Sequence, residues 1–127
     1  MRVLFVCIGN ACRSQMAEAF ARARGGDVIH AESAGLWPAS RIPSETVELM
    51  LEKNIRLDGR FPKGLDQTGI GFDLIVNMSG EPLPEPVSAP VREWHVEDPV
   101  CLPMMRQREI RDQIEVLVRG LIAEIRG

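Results

Sequence analysis

A cysteine and an arginine separated by five residues stand near the start of the chain, in the segment CIGNACRS from Cys7 to Ser14. A cysteine thiolate is a strong nucleophile, and the planar guanidinium group of an arginine can hold two oxygens of a tetrahedral oxyanion. Ser14 follows Arg13 and could donate a hydrogen bond to the cysteine sulfur, which would help the sulfur to leave. The residue types therefore predict that Cys7 attacks a bound phosphate-like oxyanion.

The flanking segments place these residues between a strand and a helix. Arg2 to Cys7 (RVLFVC) is a near-continuous apolar run, which predicts a buried strand. From Arg13 onward, apolar residues recur on one helical face until Gly25-Gly26, which predicts a helix. A tight loop at the start of a helix points several backbone N–H groups inward, and these groups favour a bound anion and negative charge on the cysteine sulfur.

We expect the whole loop to contact the oxyanion, through Ile8, Gly9, Asn10, Ala11, Cys12, Arg13 and Ser14. Gly9 is expected to let the backbone turn without a Cβ clash. Asn10 tolerates the left-handed conformation and can brace the loop with its side-chain amide. Cys12 has two open interpretations. It is either inert packing or the partner of Cys7 in a reversible disulfide that protects the nucleophile from over-oxidation.

A covalent route through Cys7 also needs a general acid for the leaving group, and the candidate is Asp98 in the segment EDPV. Pro99 stiffens the loop that carries this carboxyl group. Once the covalent intermediate exists, the same carboxylate could act as a base on water. Cys101 lies three residues after Asp98, and it is interpreted either as an ordinary loop residue or as a resolving thiol.

The rest of the chain alternates between predicted strands and helices. We predict strands at residues 27–33, 72–78 and 91–96, helices at residues 43–54 and from about residue 103, and an extended proline-rich loop at residues 81–90. This order favours one α/β domain over residues 1–127, with a parallel sheet and helices on both faces. Ligands bind such sheets at the carboxyl ends of the strands, where the Cys7 loop falls.

Composition narrows the classes of partner. A net charge of −3 argues against general nucleic-acid binding, which needs a basic surface. The apolar run at the start is too short to cross a bilayer and lacks the form of a signal peptide, so we expect a cytoplasmic chain without a membrane partner. Three cysteines cannot all pair within one chain. No Cys/His cluster has zinc-ligand spacing, so neither a metal nor a cofactor is predicted.

The segment VLFVCIGNACRSQMAEAF resembles the start of the low-molecular-weight protein tyrosine phosphatases and thioredoxin-coupled arsenate reductases. The segments AESAG and FDLIVNM and the late Asp-Pro pair follow in the same order. The resemblance implies a four-stranded parallel sheet, with Cys7 as nucleophile, Arg13 as oxyanion binder and Asp98 as general acid. It also implies that Trp37 forms a wall of the pocket. In some arsenate reductases, the positions of Asn10, Glu18 and Ser33 bind a potassium ion.

Two departures from the pattern affect the interpretation. The reductases carry a pair of relay cysteines after the strand that corresponds to FDLIVNM, whereas this chain reads NMSGEPLPEP there. The phosphatases usually place tyrosines after the Asp-Pro pair, and this chain contains no tyrosine.

Our main interpretation is a monomeric phosphate-monoester hydrolase. It would act through a cysteinyl-phosphate intermediate on a phosphorylated protein or a small aryl phosphate. The alternative is an arsenate reductase that resolves the Cys7 adduct with Cys12, with Cys101 or with an external thiol reductant. A third interpretation is a non-catalytic phosphate-binding module.

Overall fold

The computed structural model describes residues 1–84, 87 and 89–127. Its strands are β1 (Arg2–Cys7), β2 (His30–Gly35), β3 (Leu74–Asn77) and β4 (Val91–Glu93), and its α-helices are α1 (Arg13–Gly25), α2 (Ser44–Leu51) and α3 (Met104–Arg126). One turn of 3-10 helix covers Leu65–Gln67. The strands form a four-stranded sheet in the order β2-β1-β3-β4, and every neighbouring pair is parallel. The predicted α/β fold with a four-stranded parallel sheet is confirmed.

The central strand β1 is buried on both sides, which explains its near-continuous apolar sequence. One core lies on the face of Val3 and Phe5, where all three α-helices contribute buried side chains. The other core contains Leu4 and Val6, which are packed with the 3-10 turn through Leu65 and with residues of connecting loops. Helical turns therefore cover both faces of the sheet, with the three α-helices together on the first face.

Charged contacts attach the last helix to α2. Arg108 and Arg111 of α3 both bind the carboxylate of Glu52, at distances down to 3.0 Å and 2.5 Å. Arg111 also donates a hydrogen bond of 3.0 Å to the carbonyl oxygen of Leu49. The hydrogen bonds from the two guanidinium groups lower the pKa of Glu52 to about 2.

Some boundaries differ from the predicted ones. β2 begins at His30 rather than at Asp27, because the turn that ends α1 continues beyond the helix: the N–H groups of Val28 and Ile29 both donate to the carbonyl of Gly25. β4 ends at Glu93, three residues before its predicted end. Of the predicted proline-rich loop, Glu85, Pro86 and Ser88 lie outside the described residues. Among the residues that are described, no helix has both the length and the apolar character needed to cross a bilayer.

Candidate active site

The loop between β1 and α1 is held by the segment that follows β2. The amide of Leu36 donates a hydrogen bond of 3.1 Å to the carbonyl of Cys7. The amide of Trp37 donates one of 2.8 Å to the carbonyl of Ile8, and the amide of Ala39 donates one of 2.9 Å to the carbonyl of Gly9. The carbonyl groups therefore face the segment after β2. Within the described part of the chain, no carbonyl or side chain accepts a hydrogen bond from the backbone amides of residues 9–14. These amides are available to an anion at the start of α1.

Gly35 makes the close approach of these two segments possible. A Cβ atom at this position would lie 2.7 Å from the amide nitrogen of Asn10 and 2.8 Å from the carbonyl oxygen of Ile8. The role predicted for Gly9 is wrong, because Gly9 has no left-handed φ and a Cβ atom there would make only an ordinary contact of 3.5 Å with Ala39. The steric requirement for glycine lies on the strand beside the loop.

Asn10 braces the loop from inside the protein. It is fully buried and adopts the left-handed conformation, with a φ of 50°. Its Oδ1 accepts hydrogen bonds of 3.0 Å from Gln15 Nε2 and from the backbone amide of Lys63. Its Nδ2 donates a hydrogen bond of 2.7 Å to the Oγ of Ser14. Two donors on the oxygen and one acceptor on the nitrogen fix the orientation of the amide.

The sulfur of Cys7 lies 2.9 Å from the Oγ of Ser14, and both side chains are buried. Because Ser14 already accepts a hydrogen bond from Asn10, its own hydroxyl proton is free to point towards the sulfur. This contact would stabilise Cys7 as a leaving group after a covalent step.

Arg13 is anchored across the ends of two strands. Its Nη1 donates hydrogen bonds of 2.6 Å to the carbonyl of Met78 and 3.0 Å to the carbonyl of Val96. Its Nη2 lies 3.5 Å from a carboxylate oxygen of Asp98. Nη1 therefore holds the guanidinium group in place, and Nη2 faces Asp98. The structure brings Arg13 and Asp98 together although 84 positions separate them in the sequence.

Asp98 combines this buried contact with access to solvent. Its side chain is 49% exposed, whereas that of Arg13 is 6% exposed. The backbone amide of Val100 donates to its Oδ1 at 3.1 Å, which fixes the start of the following loop. A half-exposed carboxyl group beside a buried guanidinium group can exchange protons with solvent and reach a ligand held by Arg13. The general-acid role of Asp98 stays a prediction.

The other two cysteines have opposite environments. Cys12 is buried at the start of α1, and Thr46 Oγ1 donates a hydrogen bond of 3.3 Å to its sulfur. Burial raises the pKa of the Cys12 thiol. Cys101 is exposed and has a left-handed φ of 63° in the loop after Asp98. Both cysteines are free thiols.

The backbone amide of Trp37 donates a hydrogen bond of 2.8 Å to the carbonyl of Ile8. The side chain of Trp37 is 67% exposed.

A groove of about 700 Å³ lies beside Arg13. Its walls include Met78 and three carboxylates, from Glu81, Glu93 and Glu97. Three acidic residues therefore lie next to Arg13, of which Glu97 is paired with Arg106 at 2.6 Å. Among the described residues, no group of three His, Cys, Asp or Glu side chains converges as metal ligands.

Sequence reasoning missed several residues that support the loop. Gly35 and Gln15 lie in segments that the sequence resemblance covers, but their contacts with Asn10 depend on tertiary structure. Lys63, Met78 and Val96 contribute backbone atoms, which carry no signal in residue type. Only the glycine that ends AESAG, a small residue at the end of a strand, could have been suspected from the sequence.

Comparison with known proteins gives two kinds of relative. The family model described as low molecular weight phosphotyrosine protein phosphatase matches residues 2–127. The glutaredoxin arsenate reductase of Synechocystis sp. is 33% identical and aligns over 98% of each chain. A solved structure of an arsenate reductase in the phosphate binding state is 31% identical, with a TM-score of 0.88 over 98% of both chains. A low molecular weight protein tyrosine phosphatase from T. tengcongensis is 28% identical, with a TM-score of 0.80 over 98% of this chain and 99% of that chain.

Proposed function

We propose that this chain, which belongs to the low-molecular-weight phosphotyrosine protein phosphatase family, is an arsenate reductase with Cys7 as its nucleophile. The observation that carries the proposal is the Cys7 sulfur beside the Ser14 hydroxyl, in a loop with free amides. Relatives that match along the whole chain and are named arsenate reductases support arsenate as the substrate. The predicted hydrolase activity has support at the level of the superfamily.

The first step would form a covalent bond between sulfur and arsenic. The Cys7 thiolate attacks As(V) in arsenate, an S–As bond forms, and one As–O bond breaks. The departing oxygen takes up protons and leaves as water, and Asp98 is the group proposed to supply a proton. The loop amides and the Arg13 guanidinium group stabilise the negative charge on the remaining oxygens.

The second step would reduce the arsenic. A second thiolate attacks the sulfur of Cys7, and the S–As bond breaks with its electron pair moving to arsenic. Arsenite, which contains As(III), leaves, and a disulfide joins the two sulfurs. A further thiol of the reductant then reduces this disulfide and restores Cys7. Arsenic gains two electrons, and two thiols are oxidised to one disulfide.

The attacking thiol is proposed to come from an external thiol reductant of the glutathione or glutaredoxin class. The chain has no cysteine in the segment after β3, NMSGEPLPEP. Cys12 is a poor candidate because burial raises the pKa of its thiol, which leaves little of the reactive thiolate. Cys101 is exposed, so it is the internal alternative that an experiment must test.

Phosphate-monoester hydrolysis is the second candidate function. It is favoured by Asp98, whose carboxylate lies 3.5 Å from Arg13 and could protonate an alcohol leaving group. Glu81, Glu93 and Glu97 beside the arginine would repel an acidic phosphopeptide. Small aryl phosphates therefore suit this surface better than acidic phosphoproteins.

Two assays on the purified protein distinguish these candidates. The first follows NADPH oxidation by glutathione reductase in the presence of arsenate, glutathione and glutaredoxin, and the second follows release of p-nitrophenol from its phosphate ester. Arsenate-dependent NADPH oxidation is expected, and Cys7→Ser should reduce it by roughly 10⁴-fold or more while phosphate binding is retained.

Ester hydrolysis without arsenate-dependent oxidation would favour the second candidate. Phosphate binding without turnover in either assay would indicate a non-catalytic phosphate-binding module.

The double variant Cys12→Ser, Cys101→Ser tests the source of the second thiol. If the reductant supplies that thiol, the double variant keeps arsenate turnover near the wild-type rate. Loss of turnover, together with an unchanged affinity for phosphate, would assign the step to one of the two internal cysteines.

A further inference from the structure

Glu18 carries a buried negative charge one helical turn beyond the nucleophile loop. The residue is 3% exposed, and Ser33 donates a hydrogen bond of 2.5 Å to its Oε1. Its Oε2 forms ion pairs of 2.8 Å with Arg22 and 2.9 Å with Arg60. A buried carboxylate is costly without a partner, so the two guanidinium groups are needed for its charge.

The two partners are not equivalent. Arg22 lies one turn away on the same helix, and its side chain is 54% exposed, so solvent screens its ion pair with Glu18. Arg60 reaches Glu18 from the distant segment between α2 and β3, and its side chain is only 19% exposed. Arg60 is therefore the partner that connects separate parts of the fold.

Potassium does not fit this arrangement. The positions that bind it in some arsenate reductases correspond to Asn10, Glu18 and Ser33. Here the Oδ1 of Asn10 already accepts two hydrogen bonds, and Oε2 of Glu18 contacts two guanidinium groups. A potassium ion in contact with this carboxylate oxygen would meet positive charge within a few ångströms, and repulsion would disfavour it.

The segment that carries Arg60 is fastened to the loop at further points. The carbonyl of Phe61 accepts a hydrogen bond of 3.2 Å from Gln15 Nε2. The amide of Lys63 donates a hydrogen bond of 3.0 Å to Asn10 Oδ1. The carbonyl of Lys63 accepts a hydrogen bond of 2.9 Å from the amide of Gly35. We call residues 60–63 the strap. Through Asn10 and Ser14 the strap is connected to the sulfur of Cys7.

We propose that Arg60 is a positioning residue whose guanidinium group serves as a built-in counter-cation for Glu18. It holds the strap against the loop, so that the loop binds an oxyanion without a potassium ion. The proposal deepens the proposed function and rests on it only in requiring that the loop bind an oxyanion. Arg56 is the matched control, because it lies close to Arg60 in the same segment but is 76% exposed and, among the residues that the structure describes, forms an ion pair only with its neighbour Asp58.

The test measures phosphate binding by isothermal titration calorimetry, with thermal unfolding of the same samples. Wild type, Arg60→Ala, Arg60→Lys and Arg56→Ala are compared in lithium, sodium and potassium chloride at equal ionic strength. Wild type and Arg56→Ala should bind phosphate equally in all three salts. Arg60→Ala should lose about 10-fold in affinity in lithium. Potassium or added methylguanidinium should restore most of that affinity, and Arg60→Lys should keep most of it in every salt.

Several results would overturn the proposal. These are wild-type binding or melting that depends specifically on potassium, unchanged phosphate affinity in Arg60→Ala, and a loss that neither potassium nor methylguanidinium restores. If Arg60→Ala does not fold, wild type and Arg60→Lys still test the proposal, because the phosphate affinity of both must be the same with and without potassium. Phosphate binding needs no turnover, so failure of the arsenate assay leaves this test intact.

Discussion

The Cys7 sulfur and the Ser14 hydroxyl oxygen lie 2.9 Å apart in the buried interior of the protein. The oxygen of Ser14 accepts a hydrogen bond from Asn10, and Asn10 is in turn fixed by Gln15 and the strap. The Cys7 sulfur is thus connected to a chain of buried and part-buried hydrogen bonds that begins at a segment more than fifty positions away.

Replacing Ser14 by alanine should lower kcat by about 10- to 100-fold, because a hydrogen bond to a charged group contributes about 1.5–3 kcal/mol. KM should change much less, since the loop amides and Arg13 still bind the oxyanion. Steady-state kinetics with the better of the two substrates measures both constants. Ser44→Ala, at an exposed position in α2, is the control. A kcat within twofold of wild type in Ser14→Ala would contradict the role given to the hydroxyl.

Replacing Gly35 by alanine should lower the free energy of unfolding by about 1–3 kcal/mol, because the added Cβ meets loop backbone rather than a side chain that can move. Phosphate affinity should fall as well, since the loop must shift. Gly120→Ala is the control, because a Cβ there meets nothing within 4 Å. Because Gly120 lies inside α3, its replacement by alanine should stabilise the fold by about 0.5–1 kcal/mol. Chemical denaturation measures both changes, and equal effects at the two positions would refute the steric argument.

Glu52 should make the stability of the fold depend on pH in the acidic range. Its pKa in the folded protein, about 2, lies below the ordinary value of 4.5, because Arg108 and Arg111 donate hydrogen bonds to it. Its contribution is therefore fully present above pH 4.5 and is lost as the pH falls towards 2. The difference in melting temperature between wild type and Glu52→Gln should be largest above pH 4.5 and shrink below it.

The control for this pH series is Glu45→Gln, on the first turn of the same helix. Its difference from wild type should change less over the same pH range. A Glu52→Gln difference that stays constant from neutral to acid conditions would mean that the ion pairs with α3 do not stabilise the fold.

Cys101 should react with iodoacetamide well before Cys12. Cys101 is exposed, whereas Cys12 is buried and has a raised pKa, so less of its thiolate is present at a given pH. Peptide mapping by mass spectrometry after brief labelling gives the order, and labelling in denaturant should remove the difference. Equal labelling of the two cysteines in the folded protein would show that Cys12 is accessible and would restore it as a candidate resolving thiol.

The sequence predicts the fold well where burial controls residue type. β1 has the predicted bounds, because a central parallel strand is apolar on both faces. β2 starts later than predicted, since apolar Val28 and Ile29 can occupy a turn as well as a strand. Contacts made by backbone atoms, such as the carbonyls of Met78 and Val96 on Arg13, could not be predicted, because any residue type supplies them.

The sequence predicts the chemistry of the first step better than that of the second. Phosphatases and arsenate reductases both begin with attack by a cysteine on a tetrahedral oxyanion, so the loop from Cys7 to Arg13 serves either activity. They differ in what resolves the covalent adduct, which is water in one case and a thiol in the other. That choice depends on access to the Cys7 sulfur and on an external reductant, and the loop sequence predicts neither.

The anchoring of Arg13 has a consequence for the order in which the candidate site is completed during synthesis. Its carbonyl acceptors lie 65 and 83 positions further along the chain. A nascent chain that has completed β1 and α1 already contains Cys7 and Arg13, but the guanidinium group lacks both of its carbonyl acceptors. The second of them becomes available only when residue 96 has left the ribosome. Chains that end before residue 96 therefore carry Cys7 beside an Arg13 that lacks one or both of its carbonyl anchors.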